Sequence, residues 1–203
     1  KYMTAQEPTK RDEAIIAAKS SAPFPILMAV FMLIYAVWFG LAWGLIGWAV
    51  FALLVVYAGW LIFHGVSAVR AVAQLPQPKP TPEVNRIGKQ MQILSALTYI
   101  PLWIVIILLA VFSLQRYIMP ALTLIIGMHF VPQAKIFHRT IDYCLAPLAI
   151  VAALAAFYIA LTTNASWQMV YAVSGIGGAL ATAGYGLYVV MILRRLIREI
   201  DQV

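Results

Sequence analysis

A chain of 203 residues that is 64% hydrophobic and 10% charged, with a mean hydropathy of +0.90, carries far more apolar surface than a domain of its size can hide. A water-soluble globule must clothe itself in polar groups, so the composition excludes one and makes the bilayer the solvent. Fourteen Lys and Arg stand against seven Asp and Glu, a net charge of +7 with pI near 9.7. In a membrane chain such an excess faces anionic lipid headgroups, and nucleic acid is not an expected partner.

In chain order, residues 1–23 are polar and lack the cleavage pattern of a signal peptide. Pro8 to Ser20 is expected to form a short helix on the inner membrane surface, Ile15 and Ile16 toward lipid and Lys10, Arg11 and Lys19 toward headgroups; the alternative is a loosely held tail. A spanning helix needs about 20 apolar residues. The uncharged run from Phe24 to Gly65 is about twice that, so it is predicted to make two spans, 24 to 42 and 46 to 69. Gly40, Gly44 and Gly47, with Trp43 and Trp48, supply the turn at an interface.

Residues 70–91 read as a linker, because Pro76, Pro78, Pro80 and Pro82 favour extended backbone and forbid a continuous helix. It is a spacer or, less simply, a docking strip for a cytoplasmic partner. Four further spans follow, 92 to 113, 117 to 136, 141 to 162 and 168 to 193, and a basic tail closes the chain at 194–203.

The cations test this count. With the amino terminus inside, Lys1, Lys10, Arg11 and Lys19, then Arg70, Lys79, Arg86 and Lys89, then Lys135 and Arg139, then Arg194, Arg195 and Arg198 all fall on inside segments. Arg116 alone falls outside. Cationic loops translocate poorly, so the alternation implies an all-α, polytopic, six-span protein with both termini cytoplasmic. The expected location is the plasma membrane, most simply a bacterial inner membrane.

Packing signals come next. The single Cys144 excludes an intrachain disulfide, so helix packing has to supply stability. Small residues at every fourth position let helix backbones approach in lipid. The sixth span offers Ser174, Gly178, Thr182 and Gly186 and the fifth offers Ala152, Ala156 and Ala160, so these two faces are expected to meet. The same stripes could build a homo-oligomer, contact another membrane protein, or line a route for a small solute.

Chemistry concentrates in residues 127–143, GMHFVPQAKIFHRTIDY. His129 falls within hydrocarbon depth, where an ionisable group is a functional candidate, and Gln133 shares its face at i+4. Lys135, His138, Arg139 and Asp142 gather at the hand-over to the next helix, and His64 is expected at a comparable level. Each has a structural alternative: an imidazole bonded to a neighbouring helix, a carboxylate in a first turn, loop cations demanded by orientation. Gly127, His129, Phe130, Pro132, Ala134 and Phe137 together resemble a short stretch of small bacterial integral membrane proteins, which implies membrane residence and no activity.

No nucleophile set, metal motif or phosphate loop is present in the sequence, so an enzyme is not the expected reading. No cofactor is predicted; His64 and His129 are the one pair that could hold a haem across two helices. Membrane acids for coupled transport are lacking, which leaves a facilitator for a small uncharged solute or, in first place, an interaction or accessory subunit. Trp43, Trp48, Tyr117 and Trp167 mark the outer headgroup layer and suggest no ligand.

Overall fold

The computed structural model describes residues 9–202, and among them every regular element is helical. Thr9 opens α1 (Lys10–Ser21) with a capping box: its hydroxyl takes the Asp12 amide, and its own amide and hydroxyl donate to the Asp12 carboxylate at 3.1 and 2.8 Å. Then come α2 (Phe24–Ala73), α3 (Pro82–Val111), a 3-10 turn (Gln115–Tyr117), α4 (Ile118–Phe137), α5 (Thr140–Thr162) and α6 (Trp167–Gln202). Five helices are long and apolar enough to cross a membrane, with α1 and α2 together forming one of the five runs.

That run does not continue straight. Gly44 has φ 59° and ψ −134°, a backbone state essentially reserved for glycine, and there α2 folds back on itself. The reversal puts Gly47 against the Phe39 carbonyl and the Trp48 ring against Gly40. Farther down, Gly65 meets Pro25 and Ile26. A side chain at Gly47 or Gly65 would hold the two arms, 24–43 and 45–73, apart.

The other connections are made by specific chain ends. α3 closes with Ser113 at φ 60°, the Leu114 amide reaching the Leu109 carbonyl at 2.7 Å and the Ser113 amide the Ala110 carbonyl at 3.1 Å, a Schellman arrangement with serine where glycine is usual. α4 closes on His138, φ 52°, with the His138 and Arg139 amides both donating to the Ala134 carbonyl. Thr81 caps α3 by accepting from the Val84 amide, and Pro82 sits at its first position, where no amide is needed. The linker is therefore shorter than the sequence implies. Helices run into it from both sides and leave only 74–81, since Pro82 starts a helix as well as it interrupts one.

The connections gather at two ends of the bundle. One, the hairpin end, holds Gly44, the α3–α4 turn and the α5–α6 loop: Arg116 donates to the carbonyls of Thr163 and Ala165, Tyr171 to that of Gln115, and Trp43 to Met169 Sδ. The other, the tail end, holds α1, the linker and the end of α6; Lys19 donates to the Leu75 carbonyl at 2.8 Å.

α6 is the centre of the fold. Over half of its apolar window, 56%, is buried within the protein, against 11% for α3, which leans on α4 and the 3-10 turn alone. Its small residues are filled from several sides. Gly175 and Gly178 receive Tyr35 of α2, Gly186 receives Leu61 and Met28, and Ser174 donates to Thr123 of α4 at 2.8 Å. Thr182 bonds back to the Gly178 carbonyl.

Two expectations need correction here. The Ser174, Gly178, Thr182 and Gly186 face meets α2 and α4, and α5 packs instead through Gly177, which rests on Ala149, Ala152 and the Leu148 carbonyl. The two arms of α2 cover the stripe, Tyr35 and Met28 from the first and Leu61 from the second, because α6 is surrounded, and period-four spacing names a face without naming its neighbour. Nor does Ile15 point to lipid: α1 lies on the ends of α2 and α6, and Ile15 is buried in one cluster with Ala68, Val72, Leu193 and Ile200.

Candidate functional site

The sequence-predicted polar residues do not form one cluster: α4 presents them on two sides, with Gln133 within reach of both Tyr185 and His129, and His64 lies across α6. The first side joins α4, α5 and α6 at the tail-end part of the bundle. The Tyr185 hydroxyl accepts from Arg139 Nη1 at 2.9 Å and from Gln133 Nε2 at 3.3 Å. Tyr185 is held between Phe24, edge-on at 6.4 Å, and Phe130 at 6.1 Å. Asp142, in the first turn of α5, is fully buried within electrostatic reach of both Arg139 and Tyr185, and its two oxygens have no hydrogen-bond partner among the described residues. The phenol has accepted twice and still has its proton, and the carboxylate has both acceptors free.

His138 ends α4 in the left-handed region and so turns the chain sharply enough to bring Arg139 back over the helix ends. The Arg139 guanidinium stacks over the Phe137 ring at 4.3 Å. Lys135 and His138 lie outward of this centre and line, with Arg139, Thr140 and Tyr143, an open cavity of about 320 Å3.

His129 is on the second, the α3 side of α4. Its Nδ1 lies 2.8 Å from the Thr98 hydroxyl, which is also 2.8 Å from the Leu94 carbonyl. A hydroxyl has one proton; given to Leu94, it leaves the oxygen to accept from Nδ1–H. Thr98 is one of the two buried residues of α3, so this bond fastens the otherwise loosely held helix.

His64 is on the far side of α6. Arg194 Nη2 reaches its Nε2 at 2.8 Å, and since a guanidinium only donates, the imidazole accepts. The same guanidinium sits over the Trp60 ring at 5.9 Å. The picture of His64, His129 and Asp142 sharing one centre is thus corrected: depth along the bundle can be read from residue counts, whereas the azimuth that sends each side chain to a different neighbour depends on which helices surround α6.

Tyr185, Thr98 and Arg194, each a partner of a predicted residue, are missed by the sequence reading. Tyr185 offers a signal, a hydroxyl in the middle of the sixth span. Thr98 and Arg194 are unremarkable in one dimension, as a helix threonine and a loop cation.

No known protein family, characterised protein or solved structure matches this chain.

Proposed function

We propose that this is a multi-pass protein of the bacterial inner membrane, with six spans and both termini cytoplasmic, that serves as a non-enzymatic interaction or accessory subunit. Six spans follow from counting the two arms of α2 separately, each arm being about 20 residues or more. The orientation rests on charge: Arg116 is at the hairpin end, and every other described Lys and Arg is at the tail end, the side expected to stay inside.

The observation that carries the accessory role is the one-sided attachment of α3. Thr98 and Leu102 face α4, and the opposite stripe of Leu97, Ile100, Ile104, Ile107 and Val111 is more than half exposed at every position. Lipid covers such a stripe in isolation; a helix of a second subunit covers it equally well and leaves the rest of the fold undisturbed. A solute route along the glycines of α6 is less favoured, because Tyr35 and Leu61 occupy that space. A haem between His64 and His129 would require each to leave the partner it has.

Cysteines introduced at Leu97 and Ile104, with Cys144 replaced by Ser, test the role by cross-linking in native membranes. A discrete heavier species from these positions, and not from Ile26→Cys on the packed side of α2, is expected. Loss of any position dependence would overturn the accessory reading.

A further inference from the structure

The sequence assigns the aromatic residues of the hairpin end to the headgroup boundary and nothing more. Of these the fold builds Trp167, together with Trp38 and Tyr171, into a cavity of about 660 Å3, within the size range of small-molecule sites. Trp38 from the first arm of α2 and Trp167 and Tyr171 from the start of α6 make a box of edge-to-face rings, with centroid separations of 4.8 to 5.4 Å. Arg116 forms one side. Ser113 and Gln115 complete it, the former in the left-handed turn that ends α3 and the latter pinned by its carbonyl to the Tyr171 hydroxyl at 2.6 Å.

An aromatic box by itself suits a cation. Charge decides otherwise here. Among the described residues Arg116 is the sole cation of this end, and the described Asp and Glu all lie in other segments, so none of them neutralises it. The amino-terminal ends of α4 and α6 border the same cavity at Ile118 and Trp167 and add the positive ends of two helix dipoles. Arg116 Nη2 is spent on the Thr163 and Ala165 carbonyls, which fix the side chain in place, while its Nε–H has no partner among the described residues; nor has Trp38 Nε1–H. Both donors are shielded from solvent, so a small rotation of Trp38 or Arg116 must accompany their use.

We propose that this cavity binds an organic anion, a carboxylate or phosphate group held by Arg116 and Trp38 whose apolar or aromatic body lies among the rings. The proposal goes beyond the accessory role and does not depend on it: binding can be measured whichever way the protein is threaded and whether or not a partner is attached. The anion has two possible sources, a free solute or the headgroup of an anionic phospholipid, with the same chemistry at the site.

The test uses the full chain in phosphatidylcholine nanodiscs and follows tryptophan fluorescence during titration with phenyl phosphate and phenylacetate. Saturable binding is expected, with none for benzyltrimethylammonium, a cation of similar size. Arg116→Gln should weaken binding at least tenfold, Trp38→Phe should weaken it while keeping a ring in the box, and Arg70→Gln at the tail end should leave it unchanged. If Arg116→Gln does not give folded protein, Trp38→Phe carries the comparison. A second set of nanodiscs containing phosphatidylglycerol separates the sources: competition that disappears in the same variants identifies the lipid headgroup, and undiminished binding identifies a free solute. No saturable response in either set, equal binding of the cation, or affinity unchanged in the folded variants overturns the proposal.

Discussion

Tyr185 is the residue on which the polar groups of three helices converge. Its hydroxyl is the acceptor for a buried Gln133 and for Arg139, so Tyr185→Phe removes both bonds at once and leaves the Gln133 amide buried without a partner. The loss is expected to be about 1–2 kcal/mol, toward the lower end because hydrogen bonds between membrane helices are worth less than their burial suggests. A fall in the thermal unfolding midpoint in detergent checks this; an unchanged midpoint would mean that Gln133 and Arg139 find other acceptors. At the opposite extreme of burial, the hydroxyl and amide of Thr9 hold the Asp12 carboxylate below the usual carboxylate range. A depressed value in the fold means that the cap adds stability above the ordinary carboxylate range and loses it as pH falls through the lowered value. Amide exchange in the first turn of α1, corrected for its intrinsic pH dependence, should accelerate between neutral pH and about pH 3, the region in which carboxylates titrate. Thr9→Ala should abolish that dependence.

At the scale of elements, close approach of backbones separates the helix pairs that need glycine from those that do not. A Cβ at Gly177 would collide with the Leu148 carbonyl and with Ala152, backbone and a stub of side chain that cannot swing away. Gly177→Ala should therefore push α5 from α6 and destabilise the protein by about 1–3 kcal/mol, the usual cost of overpacking. Gly59, in the second arm of α2, has open space where a Cβ would go. Gly59→Ala should be neutral or stabilising by up to about 1 kcal/mol, because glycine in a helix interior is the poorer choice. Thermal unfolding of the two variants side by side is the measurement, and equal effects would contradict the packing of α6 described above. The spacing of small residues pointed to α6 as a packing helix; Gly177, the α6 glycine that lies closest against α5, is outside the period-four stripe because α6 has neighbours on more than one face.

For the whole molecule, the arrangement of cations predicts how the chain is threaded. With Cys144 replaced by Ser, Gln77→Cys in the linker and Asn164→Cys in the α5–α6 loop should label from opposite sides of the membrane. In intact cells only Asn164→Cys is expected to react with an impermeant maleimide, and Gln77→Cys only after permeabilisation. Labelling of both from one side would sink the six-span assignment, and with it the identification of the hairpin end as the outer surface.

Much of this architecture could be read in one dimension. Apolar length and charge alternate along the chain, so the boundaries of α4 and α5 fall within a residue of those expected, and the reversal of α2 falls at Gly44, among the glycines expected to turn. Hydropathy and the cost of moving charge through hydrocarbon act on each segment locally, so they leave their record in the sequence. Which face of each helix meets which neighbour is settled only when all the helices are together, because in lipid no apolar face is driven inward and close packing alone chooses partners. That choice gave His64, His129 and Asp142 different neighbours, turned Tyr35 rather than α5 onto Gly178 of the period-four stripe, and gathered Trp38, Arg116, Trp167 and Tyr171 from three distant stretches around one cavity.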